Sequence, residues 1–388
     1  MTPTANWNYP TKVRFGAGRI RELAEACKTL NIRRPLLVTD PGLASLPMIA
    51  GAVAQCRAAG LGVEVFSNVK GNPTESNVAA GLAALKAGSH DGVIAFGGGS
   101  ALDVGKVVAF MAGQTRPMWD FEDIGDWWTR ANPAGILPIV AVPTTAGTGS
   151  EVGRAGVITQ EATHCKKVIF HPLMLPGAVI SDPELCVGLS PNLTAWTGMD
   201  ALAHCFEAYC AKGFHPLADG IAVEGIALVH RYLVRAVQDG KDLEARGGML
   251  AAASMGAAAF QKGLGAVHAL SHPVGALYDT HHGLTNAVFM PYVMAFNRPA
   301  IDEECARIAR YLGLAKPSFA GLLQWVIDLR AALKIPHALS GLIGDSSRFE
   351  ELSRMAVVDP TAGGNPVELT ESACLKLYRQ SFEGALPD

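Results

Sequence analysis

Gly92-Val-Ile-Ala-Phe-Gly97-Gly-Gly-Ser100-Ala-Leu-Asp103-Val-Gly-Lys106 is the stretch that decides the fold. A short apolar, β-branched run ends at Phe96, three glycines and a serine follow, and a helical pattern carrying Asp103 and Lys106 begins at once. That is a strand, a tight turn and a helix. Glycine suits such a turn for conformational reasons alone, but three of them also let the backbone approach phosphate oxygens, with the free amides and positive dipole end of the helix facing the anion. Outward from this stretch, similar runs recur at Leu36-Leu-Val-Thr39, Val63-Glu-Val-Phe66, Leu137-Pro-Ile-Val-Ala-Val142 and Ala178-Val-Ile-Ser181, with helical patterns between them. This βαβ rhythm predicts a mostly parallel sheet from about Pro35 to Asp182. After about Leu185 the strand signal fades and helical patterns run to the end. The expected organisation is an α/β dinucleotide-binding domain over 1–186 and an all-helical domain over 187–388. Gly16-Ala-Gly18 is set aside as a second glycine turn, because no strong strand precedes it and Arg21 fills the third-glycine position.

Two further features support nucleotide chemistry in the first half. Pro143-Thr144-Thr145-Ala-Gly-Thr148-Gly-Ser150 follows an apolar run and supplies four hydroxyls, a set suited to phosphate, ribose or a nicotinamide amide. Asp40 stands at the end of the first of the recurring strands, where a carboxylate accepts from a ribose and repels a 2′-phosphate, favouring NAD over NADP. The order departs from the common dinucleotide fingerprint, in which the acidic residue comes about twenty positions after the glycines. Here it precedes them.

The second half carries a different chemistry. Asp200 and His204 are four apart in a helical pattern and so share a face, and His268 and His272 repeat that spacing in a segment, Met255 to Leu277, that reads as helix uninterrupted until Pro273. His281-His282-Gly283 follows at the expected helix exit. One carboxylate with two or three imidazoles is a ligand set that zinc and ferrous iron accept, whereas calcium and magnesium want more oxygens. A single Asp-x-x-x-His pair is more often a buried hydrogen-bonded pair; two pairs and a further histidine shift the balance toward a metal.

Composition excludes several classes. The 388 residues are 49% hydrophobic and 17% charged, enough to bury a sizeable core. A formal charge of −3, with no run of five basic residues, gives no attraction to nucleic acid or to an anionic membrane. No apolar stretch reads as a membrane span and Met1-Thr-Pro-Thr lacks a signal-peptide pattern, so a cytoplasmic protein is expected. Eight cysteines contain no Cys-x-x-Cys pair, which points to buried reduced thiols; Cys205, beside His204, is expected to pack rather than ligate.

Gly97-Gly-Gly-Ser-Ala-Leu-Asp103-Val-Gly-Lys106, Pro143-Thr-Thr-Ala-Gly-Thr-Gly-Ser-Glu-Val152, Gly198-Met-Asp200-Ala-Leu-Ala-His204 and His268-x-x-x-His272-Pro-x-Gly275, with His282-Gly283 after them, resemble in content and order the signatures of the iron-containing alcohol dehydrogenases. The resemblance spans nearly the whole chain. It implies a dehydroquinate synthase-like architecture and an NAD-dependent alcohol dehydrogenase or aldehyde reductase acting on a small alcohol or aldehyde, working as a homodimer. It also implies that Asp200, His204, His268 and His282 ligate ferrous iron or, in some members, zinc. His272 becomes a catalytic proton-relay residue, and Asp40, Asn72, Gly97, Gly98, Gly99, Ser100, Asp103, Thr144, Thr145, Thr148 and Lys167 become the cofactor contacts. A hydroxyacid-oxoacid transhydrogenase or a specialised reductase of the same architecture is the alternative.

Two positions depart from the usual pattern. His281 replaces a common proline and adds an imidazole near the metal residues, while Gly153 replaces a hydroxyl-bearing residue. Ala155 and Gly156 are small enough to widen a pocket, and Trp127 and Trp128 are read either as its apolar wall or as packing of a loop.

Overall fold

A computed structural model describes residues 11–386. Among these residues the chain divides into two compact units, one taking in everything up to Thr145 together with Gly149–Gly188, the other Ala146–Thr148 together with everything from Leu189 onward.

The first unit is built on a six-stranded, wholly parallel sheet of β1 (Val13–Phe15), β2 (Pro35–Val38), β3 (Glu64–Phe66), β4 (Gly92–Gly97), β5 (Ile139–Pro143) and β8 (Ala178–Ser181), in the order β1-β8-β5-β4-β2-β3. Between the strands run α1 (Leu23–Thr29), α2 (Pro41–Ala44), α3 (Pro47–Ala58), α4 (Glu75–Ala87) and α5 (Gly99–Met111). Every residue of β4 is buried, because successive side chains enter cores on opposite faces of the sheet. Val93 and Ala95 pack with Val104, Val107 and Val108 of α5; Ile94 and Phe96 pack with Leu23 and Cys27 of α1 and Ile49 and Cys56 of α3. Gly105 permits the close approach of α5, since a Cβ there would lie 2.7 Å from the Cβ of Ala95.

Two elements differ from the expected βαβ rhythm. Val13–Phe15 is a strand after all, paired in parallel with β8, so a strand does precede Gly16; at three residues it is too short for a period to show. The segment between β5 and β8 folds into an antiparallel hairpin of β6 (Ala155–Gln160) and β7 (Cys165–Phe170), forming a second sheet.

The second unit is helical: α6 (Pro191–Cys210), α7 (Pro216–Gln238), α8 (Leu243–Ala259), α9 (Ala266–Tyr278), α10 (His282–Tyr311), α11 (Phe319–Ala332), α12 (Phe349–Val357) and α13 (Glu371–Glu383). The continuous helix expected over Met255 to Leu277 is in fact two, because α8 runs into a 3₁₀ turn at Phe260–Lys262 and the backbone at Gly263 takes φ +137°. His268 and His272 still share α9, which continues through Pro273. None of the described helices is long and apolar enough to cross a membrane. All eight cysteines are free thiols and seven are buried; Cys205 packs where Gly225 and Gly256 bring α7 and α8 close to α6.

Candidate metal centre

Three helices of the second unit converge on a small polar cluster in an apolar interior. Asp200 and His204 come from α6, His268 from α9, and His282 opens α10; Asp200, His204 and His268 are 2%, 5% and 1% exposed. One ligating atom from each of those three lies within 4.8 Å of the others. His268 Nε2 is 3.8 Å and His282 Nε2 3.5 Å from Asp200 Oδ1, and His204 Nδ1 is 4.0 Å from Asp200 Oδ2. Ligand atoms bound to one cation at about 2.0–2.2 Å must stand roughly 3–4 Å from each other, so these separations fit a single ion. The buried Nδ1 of His204 has no hydrogen-bond partner, a costly arrangement that a cation would relieve. Burial also lowers the pKa of this imidazole to about 4 against the pull of Asp200, leaving a neutral ring with a lone pair to donate.

The cluster can form because its surroundings are cut to fit. Gly283 must be glycine: a Cβ there would sit 2.2 Å from the carbonyl oxygen of Trp196 and 3.1 Å from Cβ of Asp200, so its absence lets the start of α10 lie against α6. His281 is the N-cap of α10, with Nδ1 accepting from the Leu284 amide at 3.4 Å and the ring tilted against Trp196 at 4.9 Å. The additional imidazole expected beside the metal residues therefore caps a helix.

Glu207, one helical turn beyond His204, joins two tasks. Its Oε1 accepts from the Val267 amide at 2.6 Å, in the first turn of α9, and its Oε2 lies 2.5 Å from Nδ1 of His268. Gly265, the N-cap, offers no side chain, and Asn365 Oδ1 takes the Ala266 amide at 3.0 Å. A Cβ on Gly265 would lie 2.8 Å from Asn365 Oδ1 and 3.0 Å from Glu207 Oε1. Because a carboxylate only accepts, Nδ1 of His268 carries the proton and Nε2 presents its lone pair to the cluster. Burial opposes charge on His268, but Glu207 and Asp200 outweigh it and hold its pKa above the ordinary imidazole value.

Asn286, four residues after His282 on α10, places one amide nitrogen 2.7 Å from Asp200 Oδ1, 3.1 Å from His282 Nε2 and 3.2 Å from His268 Nε2. It thus ties together groups from all three helices. His272 stacks on His282 with ring centroids 5.3 Å apart, and its Nδ1 is 2.9 Å from Asp359 Oδ2. Sequence reasoning missed Glu207, Asn286 and Asp359. The first two carried a usable signal, since each lies three or four residues from a metal-type histidine on the same helical face. Asp359 is 87 residues from its partner and carried none.

In the first unit the glycine turn stands between β4 and α5, with Gly98 as N-cap and Gly97 at φ +150°. Asp40 caps α2 through Oδ1, which accepts from the Leu43 amide at 3.0 Å; its Oδ2 would be 3.5 Å from a Cβ on Gly97. The reversed order in sequence is thereby accounted for, because β2 and β4 are parallel neighbours, with Val38 opposite Ala95, and their ends lie side by side. Thr145 lies next to Gly98, and the Thr144 amide donates to the Gly97 carbonyl at 3.0 Å. Asn72 falls in the turn before α4, while Thr148 groups with the helical unit.

Other expected cofactor contacts are engaged within the protein. Ser100 donates to the Gly71 carbonyl at 2.6 Å, and Lys167 pairs with Glu122 at 2.8 Å. Asp103, also expected among the cofactor contacts, is engaged within the first unit as well. Its Oδ1 accepts from Ser150 Oγ at 2.5 Å and faces Lys106 Nζ at 3.4 Å, and its Oδ2 accepts from the Val157 amide at 3.0 Å, so it shapes the loop from within. Lys106, fully buried, donates to the carbonyls of Ser150 and Ala155. Gly153 lies beside this lysine, and Gly156 is small because a Cβ would meet Val107 of α5 at 2.6 Å, so its missing side chain serves packing against that helix. Trp127 stacks under Arg130 and Trp128 sits edge-on to His171, the loop-packing alternative.

Residues 10–183 match the sequence signature described as iron-containing alcohol dehydrogenase, and residues 194–382 that described as Fe-containing alcohol dehydrogenase family, C-terminal. The chain belongs to the iron-containing alcohol dehydrogenase family. It is 38% identical to the 4-hydroxybutyrate dehydrogenase of Cupriavidus necator, over 96% of this chain and 99% of that protein. Identity to the NAD-dependent methanol dehydrogenase of Bacillus methanolicus is 37%, over 79% of this chain and 80% of that one. The crystal structure of a 1,3-propanediol oxidoreductase superimposes with a TM-score of 0.92 at 36% identity, covering 97% of this chain and all of that one. Family members use NAD(H) and a divalent metal, and the chain is an alcohol/aldehyde oxidoreductase.

Replacing Glu207 by Gln keeps an acceptor for the Val267 amide but turns an amide N–H toward His268 Nδ1, which disfavours the tautomer that presents Nε2. The expected result is a 10- to 100-fold loss of metal affinity, roughly the range for such outer partners, read by competition with a chromogenic chelator, with little change in helix content.

Proposed function

We propose that Asp200, His204, His268 and His282 together hold one divalent cation, ferrous iron or zinc, and that the chain interconverts a small primary alcohol and its aldehyde with NAD(H). The observation that carries this reading is the buried cluster of one carboxylate and imidazoles, delivered by three helices at separations suited to one ion. When bound, the cation supplies Lewis acidity, lowering the pKa of an alcohol or polarising a carbonyl. Asp40, Asn72, the Gly97–Ser100 turn, Thr144, Thr145, Thr148 and Lys167 are proposed to bind the dinucleotide, with Asp103 acting through the loop it braces. The ribose selectivity rests on the free oxygen of Asp40, which disfavours a 2′-phosphate. His272 is proposed to take the alcohol proton as hydride leaves the carbinol carbon for C4 of the nicotinamide, a transfer that needs the two carbons within about 3–3.5 Å. Relatives acting on 4-hydroxybutyrate and 1,3-propanediol make short chains with a terminal hydroxyl the first substrates to try.

Free thiols throughout support a cytoplasmic location. We further propose a homodimer, supported by β1, which among the described residues ends the sheet with Val13 and Phe15 41% and 47% exposed; such an edge is a template for pairing.

Stripped protein refilled anaerobically with ferrous iron or zinc is expected to form NADH from short diols and ω-hydroxy acids, with turnover lowered roughly 10²-fold or more in His272→Ala. NAD binding without NADH formation under any metal would move the assignment to a transhydrogenase. Sedimentation should give twice the chain mass, and Phe15→Lys should shift it toward a monomer; a monomeric parent protein would refute the dimer.

A further inference from the structure

We propose that Asp359 is a positioning residue that fixes which ring nitrogen of His272 carries the proton, leaving Nε2 as the atom that accepts from substrate. This rests on the proton-accepting role given to His272 above. Asp359 follows the C-terminus of α12, and its side chain is 6% exposed, against 14% for His272. It is held from behind: Oδ1 accepts from the Thr361 amide at 2.9 Å and from the Thr361 hydroxyl at 2.6 Å, in a tight turn that also brings this hydroxyl within 3.3 Å of the Gly265 carbonyl. The other oxygen, Oδ2, lies 2.9 Å from His272 Nδ1. A carboxylate can only accept, so Nδ1 is the protonated nitrogen and the Nε2 lone pair is free to act.

The same arrangement occurs a turn earlier on α9, where Glu207 orients His268, but the two rings have different tasks. The ring of His268 belongs to the candidate ligand set. His272 lies outside it, stacked on His282 at 5.3 Å and 18° and edge-on to His268 at 5.8 Å and 67°. Burial works to raise the pKa of Asp359, and the contacts with His272 and Thr361 outweigh it, so the carboxyl stays below the usual range. In the oxidation direction the O–H bond breaks and its electron pair becomes the new C–O bond, the C–H pair leaves as hydride to NAD⁺, and the proton passes to Nε2 and then to solvent. Aldehyde, NADH and one proton account for all atoms and charge.

The informative variant is Asp359→Asn. The Thr361 amide and hydroxyl both donate toward Oδ1, so the amide oxygen should stay there and the NH2 should face His272 Nδ1. That nitrogen must then accept, and the proton moves to Nε2 with the ring hardly displaced. Two-bond ¹H–¹⁵N spectra of histidine-labelled, zinc-loaded protein are expected to show His272 protonated at Nδ1 in the parent and at Nε2 in Asp359→Asn. In parallel, kcat should fall roughly 10²-fold or more, the range for a lost general base, with KM for alcohol, metal content and Tm little changed. An unchanged tautomer with unchanged kcat overturns the proposal, as does a fall in Tm and metal content that alone accounts for the lost rate. Should Asp359→Asn not fold, Thr361→Val loosens the carboxylate without removing it; a several-fold fall in kcat at constant KM is expected, and full activity overturns the proposal. His272→Ala separates the two levels. If it turns over normally, the role of His272 itself is wrong; if it is slow while Asp359→Asn is not, only the assignment of Asp359 fails.

Discussion

The site depends on one carboxylate. Glu207 accepts from an amide in the first turn of α9 with one oxygen and holds His268 Nδ1 with the other, so the position of a helix and the orientation of an imidazole are set by the same side chain. Helix N-termini leave four amides to satisfy, and buried ones are expensive when unmet. Because Gly265 cannot cap, Asn365 and Glu207 do so from elsewhere, and the glycine is what allows them to come close. Gathering buried polar groups from three helices would be unfavourable if any were left uncompensated. Asn286 links Asp200, His268 and His282, Glu207 secures His268, and His204 Nδ1 and Asn286 Oδ1 are left without a hydrogen-bond partner, the first of them 4.0 Å from Asp200 Oδ2.

The same economy appears in the sheet unit. Asp103 and Lys106 occupy one helix and, fully engaged within the protein, brace the turn that follows β5. What reads in the sequence as a charged cofactor motif is here partly internal scaffolding. In the glycine turn a Cβ on Gly97 would lie 2.8 Å from Ala101 Cβ, and the uncommitted oxygen of Asp40 stands beside it.

How much was legible varies with the range of the interaction. The alternation of apolar strands with helices was readable because each strand of a buried parallel sheet is a continuous apolar run, and β2, β4, β5 and β8 lie where such runs occur. β1 was not, being three residues long. The β6–β7 hairpin was hidden because its strands are largely half-buried and mix Lys and Gln with Val and Ile. The break between α8 and α9 was masked by alanine and glycine, which fit a helix pattern until a positive φ ends it. Spacing on single helices suggested the Asp200, His204 and His268 cluster. Asp359 and Asn365 reach the site only through tertiary folding, and the capping task of His281 was hidden because a capping imidazole and a ligating one are the same residue type.

The most direct test of this account is X-ray absorption at the iron edge of the ferrous-loaded protein, in the parent chain and in His268→Ala and His282→Ala. The account predicts a first shell of nitrogen and oxygen with scattering from three imidazoles, reduced to two in each variant that still binds iron. An imidazole-free shell, or one that neither substitution alters, would contradict it.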